Sequence, residues 1–186
     1  MADALREDDF YTYADILEMD EHINAEIIDG ELFMMAPPAS NHQLILMQLA
    51  GQLWQFLRGK PCKVFPAPFG VRLFPREDLE DDTFLEPDIV VICDPSKIKK
   101  AGCEGAPDMV VEILSPSNTR HEMLLKFKKY LAAGVKEYWV VDGEEKTVEI
   151  HIFDQGRCIT SIAGGNDEIP LTALPGCTIK LQDLWP

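Results

Sequence analysis

Apolar residues along the chain follow two spacings, one typical of helices and one typical of buried strands. Between Asn41 and Leu57, leucines recur every three or four residues, which predicts a long amphipathic helix. A second helix is predicted from Thr119 to Ala133, just before Gly134, because glycine commonly ends helices. A short helix is predicted over Thr12 to Met19, where a threonine stands at the capping position.

Strand candidates are short runs rich in valine and isoleucine, separated by turn residues. Asp29-Gly30 stands between two apolar runs and predicts a β-hairpin near the start. Later runs predict strands at Ile89 to Cys93, Met109 to Leu114, Tyr138 to Asp142 and Thr147 to Phe153. Long apolar runs indicate a sheet covered on both faces. The order of elements therefore predicts an α/β (α+β) fold with a mixed central sheet flanked by helices.

The length of 186 residues suits a single domain over residues 1–186. Within it we expect an N-terminal helix and hairpin over residues 1–38, a core over 41–142 and C-terminal strands over 147–186. No apolar run approaches the roughly 20 residues of a membrane span, and the polar, acidic start does not resemble a signal peptide. A cytoplasmic protein is therefore expected.

The five cysteines are widely spaced and form no CxxC pair. Paired cysteines two residues apart are typical of zinc ribbons, and evenly numbered sets are typical of disulfide frameworks. The sequence therefore predicts separate reduced thiols.

The formal net charge of −15 excludes a protein that coats nucleic acid non-specifically, because phosphate binding needs Lys and Arg. The charge is unevenly distributed, since residues 97–136 hold eight Lys or Arg against four Asp or Glu. This window is either a face that receives a phosphate backbone or a solvated Lys-rich surface with no partner.

Glu112 interrupts an otherwise apolar strand, and an ionised carboxylate in a dry core is costly without a partner. Asp88 stands at the mouth of the neighbouring strand candidate, in the same Pro-Asp context that precedes the Glu112 strand. If the strands are adjacent, the two carboxylates converge, and the carbonyl of Ile113 completes an oxygen-rich site suited to Mg²⁺ or Mn²⁺. The alternative for Asp88 is a simple turn before a strand.

A cation is expected near these carboxylates. On the helix of residues 119–133, Lys126 lies at the border of the apolar arc that contains Leu124, Phe127 and Leu131. From there it either reaches toward Glu112 or forms a surface ion pair with Glu122, four residues earlier.

Three segments together resemble a known family: "EPDIVVI", "APDMVVEILSPSNTRHEMLLKFKKYLAAGVKEYWVVD" and "AEIIDGELFMMAPPASNHQLI". They are similar to a large bacterial family of putative restriction endonucleases, abundant in cyanobacteria, within the PD-(D/E)XK nuclease superfamily. The resemblance covers nearly the whole chain. It implies a restriction-endonuclease-like core and metal ligation by Asp88 and Glu112.

The resemblance also shows a departure, because Leu114 occupies the place where the superfamily usually has a lysine. In this family the lysine is expected on the following helix, at Lys126. Many superfamily members add a glutamate from the first core helix, but here that helix has none. Glu31 on the hairpin and His42 at the helix start are the candidates to replace it, with hairpin surface and helix terminus as their structural alternatives.

The implied activity is metal-assisted hydrolysis of DNA phosphodiester bonds, with Lys126 orienting the attacking water or stabilising the transition state. Two alternatives stay open: a catalytically inactive binding or scaffold module of the same fold, and a metal-dependent hydrolase of other phosphate esters. DNA is the expected partner, and a homodimer is plausible.

Overall fold

The computed structural model describes residues 10–20 and 23–185. Residues 1–9, 21–22 and 186 lie outside the described ranges. The predicted N-terminal segment 1–38 and C-terminal segment 147–186 are therefore described only in part. The α-helices are α1 (Tyr13–Glu18), α2 (Ser40–Leu57) and α3 (Arg120–Ala133). In chain order the strands are β1 (Ala25–Ile28), β2 (Glu31–Met34), β3 (Lys63–Pro66), β4 (Val71–Arg72), β5 (Ile89–Ile92), β6 (Ile98–Lys99), β7 (Gly102–Glu104), β8 (Met109–Ile113), β9 (Glu137–Asp142), β10 (Thr147–Asp154), β11 (Arg157–Gly164), β12 (Glu168–Pro170) and β13 (Thr178–Lys180).

The central sheet has six strands in the order β11-β10-β9-β8-β5-β3. Within this sheet only β8 and β9 pair in parallel, and α3 is the crossover that connects them. The other neighbours are antiparallel. The predicted mixed central sheet is therefore confirmed.

Other elements cover both faces of this sheet, which explains why its central strands β5, β8 and β9 are mostly apolar. On one face α2 packs with the C-terminal segment against residues such as Val91, Val111 and Trp139. On the other face α3, the β1–β2 hairpin and the small β4-β7-β6 sheet cover residues such as Val90 and Val110. In the described residues, no helix combines the length and apolarity needed to cross a bilayer.

Local sequence signals account for several element boundaries. The β1–β2 hairpin turns at Asp29 and Gly30, which both have positive φ, as a two-residue turn of this kind requires. Helix α3 ends at Gly134, whose φ of 86° is the left-handed conformation that favours glycine. The N-cap of α3 is Thr119, in a capping box with Glu122.

The buried face of α3 differs from the one predicted by its apolar residues. Leu124 is 51% exposed, whereas the buried residues are Glu122, Lys126 and Tyr130, spaced four apart along one side. The prediction that Lys126 lies at the border of the buried face is therefore wrong, because it is 2% exposed and central to it. A buried polar network therefore holds this helix on the sheet together with apolar side chains such as Phe127 and Leu131, which pack against the core.

The prediction of separate reduced thiols is wrong for one pair. Cys62 and Cys93 form a disulfide, while Cys103, Cys158 and Cys177 are free. The β3–β5 ladder pairs Lys63 with Ile92, so the two cysteines stand opposite each other one step beyond that pair. Their partnership depends on strand register, which the spacing of cysteines along the chain does not reveal.

Candidate active site

The antiparallel register of β5 and β8 brings the two predicted carboxylates together. The ladder pairs Ile89 with Val111, so Asp88 and Glu112 stand opposite each other one step further. Side chains directly opposite in such a pair have Cβ atoms about 4.5–5.5 Å apart. The two carboxylates line the same cavity, and the charge of Asp88 is one of the causes that raise the pKa of Glu112.

Asp88 is fixed through both of its oxygens. Its Oδ2 accepts a 2.7 Å hydrogen bond from the main-chain N–H of Ile113, and its Oδ1 lies 3.1 Å from Nε2 of His42. The hydrogen bond to Asp88 raises the pKa of His42, although burial opposes it. The other ring nitrogen of His42, Nδ1, is buried and has no hydrogen-bond partner among the described residues.

Glu112 is buried on the α3 side of β8, and two side chains of α3 bind it. Lys126 Nζ donates to Oε2 at 3.1 Å, and the Tyr130 hydroxyl donates to Oε1 at 2.6 Å. Burial raises the pKa of Glu112 to about 8, partly opposed by the charge of Lys126. The carboxylate that looked out of place in an apolar strand is thus the acceptor of two buried hydrogen bonds.

Lys126 is the charged centre of the site. Its Nζ lies 2.7 Å from Glu26 Oε2 and 3.7 Å from Glu122 Oε1, in addition to its bond to Glu112. Both alternatives for this lysine are therefore realised together, inside the protein rather than on its surface. Burial would lower the pKa of Lys126, but the surrounding carboxylates outweigh it and raise the pKa well above its usual value.

Glu26 is the main site residue that the sequence analysis missed. It belongs to β1, it is 1% exposed, and its Oε1 accepts a 2.8 Å hydrogen bond from the main-chain N–H of Glu86. Every residue of β1 is buried, so the usual alternation of polar and apolar positions gave no sign of it. The signal that was present is a glutamate inside an apolar strand, the same signal that identified Glu112.

These side chains surround a cavity of about 450 Å³ between the hairpin, the start of α2 and the start of α3. Carboxylates outnumber cations on its wall. The acidic residues are Glu26, Glu86, Asp88, Glu112 and Glu122, and the basic ones are Lys126 and His42. Glu86 is half-buried, and burial raises its pKa. The cavity thus carries a surplus of negative charge and an orphaned histidine nitrogen.

The oxygen donors of the cavity fit a hard divalent cation that keeps part of its water shell. No group of three or more His, Cys, Asp or Glu side chains within residues 10–20 and 23–185 is already arranged as an ion cage. Mg²⁺ usually binds through one or two carboxylates and keeps several waters, so it does not require such a cage. Asp88 and Glu112, in a cavity with surplus carboxylates, meet this lower demand.

Comparison with known proteins gives the chain a family. A sequence model of the Uma2 family, described as "Putative restriction endonuclease", matches residues 8–182. The chain belongs to the Uma2 family. The resemblance inferred from its motifs is therefore confirmed.

Two proteins from cyanobacteria are similar to this chain. An uncharacterized protein of Synechocystis sp. is 24% identical over 151 residues, which is 80% of this chain and 77% of that protein. The crystal structure of a putative nuclease belonging to DUF820 from Anabaena variabilis superposes with a TM-score of 0.73 at 21% identity, covering 94% of this chain and 97% of that one. At this identity the structure shows a shared fold, and it confirms the nuclease-like architecture.

The remaining predicted site residues of this Uma2 chain fall in different places. His42 lines the cavity, whereas Glu31 lies outside the cavity wall and is exposed, with Oε2 3.2 Å from His121 Nε2. Leu114 lies in a second cavity between α3 and β9–β10. Leu114 is not among the residues that line the cavity of Asp88 and Glu112.

Several basic residues of the window 97–136 form contacts within the protein. Lys126 is enclosed by carboxylates, Lys129 pairs with Asp29, and Lys136 lies 2.6 Å from Asp108. Lys97 donates to the carbonyl of Ala106. Half of the eight positive side chains are therefore engaged within the protein.

Proposed function

We propose that this Uma2 protein is a Mg²⁺- or Mn²⁺-dependent endonuclease that hydrolyses DNA phosphodiester bonds. The observation that carries the proposal is the pairing of Asp88 with Glu112 in one cavity, with Lys126 bonded to Glu112. Family membership supports the nuclease part of this proposal. The metal and the substrate rest on the chemistry of the cavity.

Asp88, Glu112 and the main-chain carbonyl of Ile113 would hold the ion, since oxygen ligands are those that Mg²⁺ and Mn²⁺ prefer. When bound, such an ion lowers the pKa of a coordinated water and stabilises negative charge on a phosphate. The protein supplies the fixed geometry. The Ile113 N–H and the His42 ring restrict Asp88, and Tyr130 restricts Glu112.

Lys126 has two tasks in this proposal. Its charge offsets the carboxylates around it, so that Glu112 and Glu26 can lie side by side in a buried region. Its ammonium group also lines the cavity, where it can orient a water or stabilise a developing negative charge. Because Glu26 and Glu112 hold Nζ in place, little reorganisation is needed when the substrate enters.

In this proposal the metal is needed to bind the phosphate group of the substrate as well as to hydrolyse it, because the cavity wall is acidic. A phosphate that enters a wall of five carboxylates and two basic side chains is repelled until a divalent cation is present. His42, which lies beside Asp88 on the cavity wall, is proposed as a further polar contact for the substrate. Glu31 stays a predicted catalytic residue, and its pairing with His121 places it on the surface near the start of α3.

The decisive test measures nicking of supercoiled plasmid and cleavage of single-stranded DNA with Mg²⁺, with Mn²⁺ and with EDTA. Asp88→Asn, Glu112→Gln and Lys126→Met should each lower the rate by on the order of 100-fold. The matched control is Glu145→Gln, which changes an exposed turn residue in the same chemical way. Cleavage that persists in EDTA, or in Asp88→Asn, would contradict the proposal.

Calorimetric titration of Mn²⁺ separates the alternatives. A protein that binds no metal at millimolar concentration is a binding or scaffold module of the same fold. A protein that binds metal and hydrolyses bis-p-nitrophenyl phosphate but leaves DNA intact is a phosphoesterase of another kind. Metal binding together with DNA cleavage supports the endonuclease.

A further inference from the structure

The outward face of α2 carries a stripe of exposed apolar side chains. Leu44 is 51% exposed, Met47 65% and Trp54 59%. Gly51 lies between them and is exposed as well. The 18 residues of α2 include no Asp, Glu, Lys or Arg, in a chain where these residues make up 26%, and its one histidine, His42, lies at the start of the helix. This face therefore lacks the charged residues that cover most water-exposed helices.

The spacing along the stripe is that of a helix–helix seam. Positions 44, 47, 51 and 54 are separated by three, four and three residues, which is the repeat by which two long helices interlock side chains. The opposite side of α2 is already used, since Ile45, Leu49 and Leu53 pack into the core. Helix α2 thus has two apolar sides, and residues 10–20 and 23–185 cover only one of them.

Gly51 supplies an independent observation. It stands in the interior of α2, where glycine is about 1 kcal/mol less favourable than alanine. A Cβ at this position would meet nothing within 4 Å, so no contact within the described chain requires its absence. Glycine in an exposed helix is useful where a second backbone or a bulky side chain approaches closely.

We propose that a second copy of this chain packs on the stripe, with the two α2 helices antiparallel about a two-fold axis at the level of Leu49. In this arrangement Met47 of each copy lies against Gly51 of the other, and Leu44 against Trp54. Each large side chain then meets either the gap left by glycine or another apolar side chain. Such a self-complementary contact is what two-fold symmetry requires.

Charge favours a second copy over other partners. Two copies with a net charge of −15 repel each other, so they can meet only where neither presents acidic residues. Residues 32–76, which include α2, contain no Asp or Glu. The exposed Met47, Trp54 and Arg58 are also of the types enriched at protein interfaces, where Lys, Glu and Asp are depleted.

A nucleic acid is a weaker candidate for the same face. The basic residues near α2, Arg58 and Lys60, lie at its C-terminal end, and Arg58 stacks over the Trp54 ring at 5.1 Å. The cavity lies at the other end, beside His42. Sixteen residues of helix separate His42 from Arg58, which is about 24 Å. Within one chain these cations are too far away to serve the cavity.

The antiparallel arrangement brings Arg58 of the partner subunit close to the cavity end of α2. Pairing about Leu49 places Arg58 of the partner subunit opposite Ser40, next to Pro38 and Ala39, which line the cavity. The dimer would then supply each acidic cavity with a positive rim that the single chain lacks. This last step rests on the proposed nuclease function, whereas the dimer itself does not.

Sedimentation of the full chain without DNA or metal tests the dimer independently of any activity. We expect a concentration-dependent dimer that persists in 0.5 M NaCl, because its contact is uncharged. Met47→Asp should raise the dissociation constant at least 10-fold, and the matched control Ile162→Asp, on the exposed edge strand β11, should leave it unchanged. A monomer at 100 µM, or a dimer lost in Ile162→Asp instead, would overturn the proposal.

The variant Gly51→Gln distinguishes loss of the dimer from loss of the folded structure. Glutamine favours helix more than glycine does, so the variant should unfold at a slightly higher temperature while its dimer dissociates more readily. In a Cys158→Ser background, Met47→Cys mixed with Gly51→Cys should form the crossed disulfide between copies. Crosslinking of Met47→Cys with itself alone would instead indicate parallel helices and refute the antiparallel arrangement.

DNA binding tests whether Arg58 of the partner subunit contributes to the cavity. With Ca²⁺ present, Arg58→Ala should weaken DNA binding by the dimer and have little effect in the Met47→Asp monomer. An equal loss in both backgrounds would refute the contribution of the partner subunit's Arg58, even if the dimer is found.

Discussion

Asp88 and Glu112 face each other across β5 and β8, and the main-chain N–H of Ile113 donates to Asp88 Oδ2 at 2.7 Å. The residue that follows one carboxylate thereby fixes the other. The hydrogen-bonded ladder between β5 and β8 sets the relative position of the two carboxylates. The apolar residues of these two strands are among the most buried of the protein. We therefore expect the pair to keep its geometry when loops around the cavity move.

Loss of the Lys126 charge should destabilise the fold. Lys126→Met leaves the carboxylates of Glu26 and Glu112 buried without a cation, and removing one partner of a buried pair costs about 3–5 kcal/mol. Urea unfolding measures the loss. Addition of Glu26→Gln should recover part of it, because one uncompensated charge is removed, and a double variant less stable than Lys126→Met would contradict this account.

Tyr130 should contribute through its hydroxyl. Tyr130→Phe keeps the ring and removes the 2.6 Å hydrogen bond to Glu112, at an expected cost of about 1–3 kcal/mol because the acceptor stays buried. The control is Tyr138→Phe, whose buried hydroxyl has no partner among the described residues and should matter less. Thermal unfolding of both variants gives the comparison.

His151 should make the fold sensitive to mild acid. Burial lowers the pKa of His151, so between the folded and unfolded values the unfolded chain binds more protons. Its contribution to stability is therefore fully present above pH 6.5 and is lost as the pH falls below it. The stability difference between wild type and His151→Gln should shrink between pH 7.5 and 5.5, and a constant difference would refute the prediction.

The disulfide between Cys62 and Cys93 should stabilise the chain by restricting its unfolded state. It closes a loop with a sequence separation of 31, for which chain entropy gives about 3–4 kcal/mol. The variant Cys62→Ser/Cys93→Ser should unfold at correspondingly lower urea. In excess dithiothreitol the wild type should approach the variant, and an unchanged wild type would show that the bond is not formed in solution.

Local patterns in the sequence predicted the hairpin and the strands of the sheet. The convergence of Asp88 and Glu112 was predicted only if their strands are neighbours, and the β5–β8 ladder supplies that condition. The sequence did not predict Glu26 or the buried side of α3. Those features depend on which polar side chains neutralise one another after the elements pack. For that reason Lys126 is buried and Leu124 is exposed on α3. Apolar periodicity measures the hydrophobic contribution and contains no information on ion pairs between distant segments.

The ion pair between Glu26 and Lys126 joins residues one hundred positions apart. During synthesis, at roughly 5–20 residues per second, the hairpin waits about 5–20 s for the lysine that neutralises it. A chain released before α3 is made would hold Glu26, Asp88 and Glu112 without that lysine. The charged centre of the cavity is therefore completed only after α3 has been made, and a product that ends before Lys126 lacks the cation that Glu26 and Glu112 share.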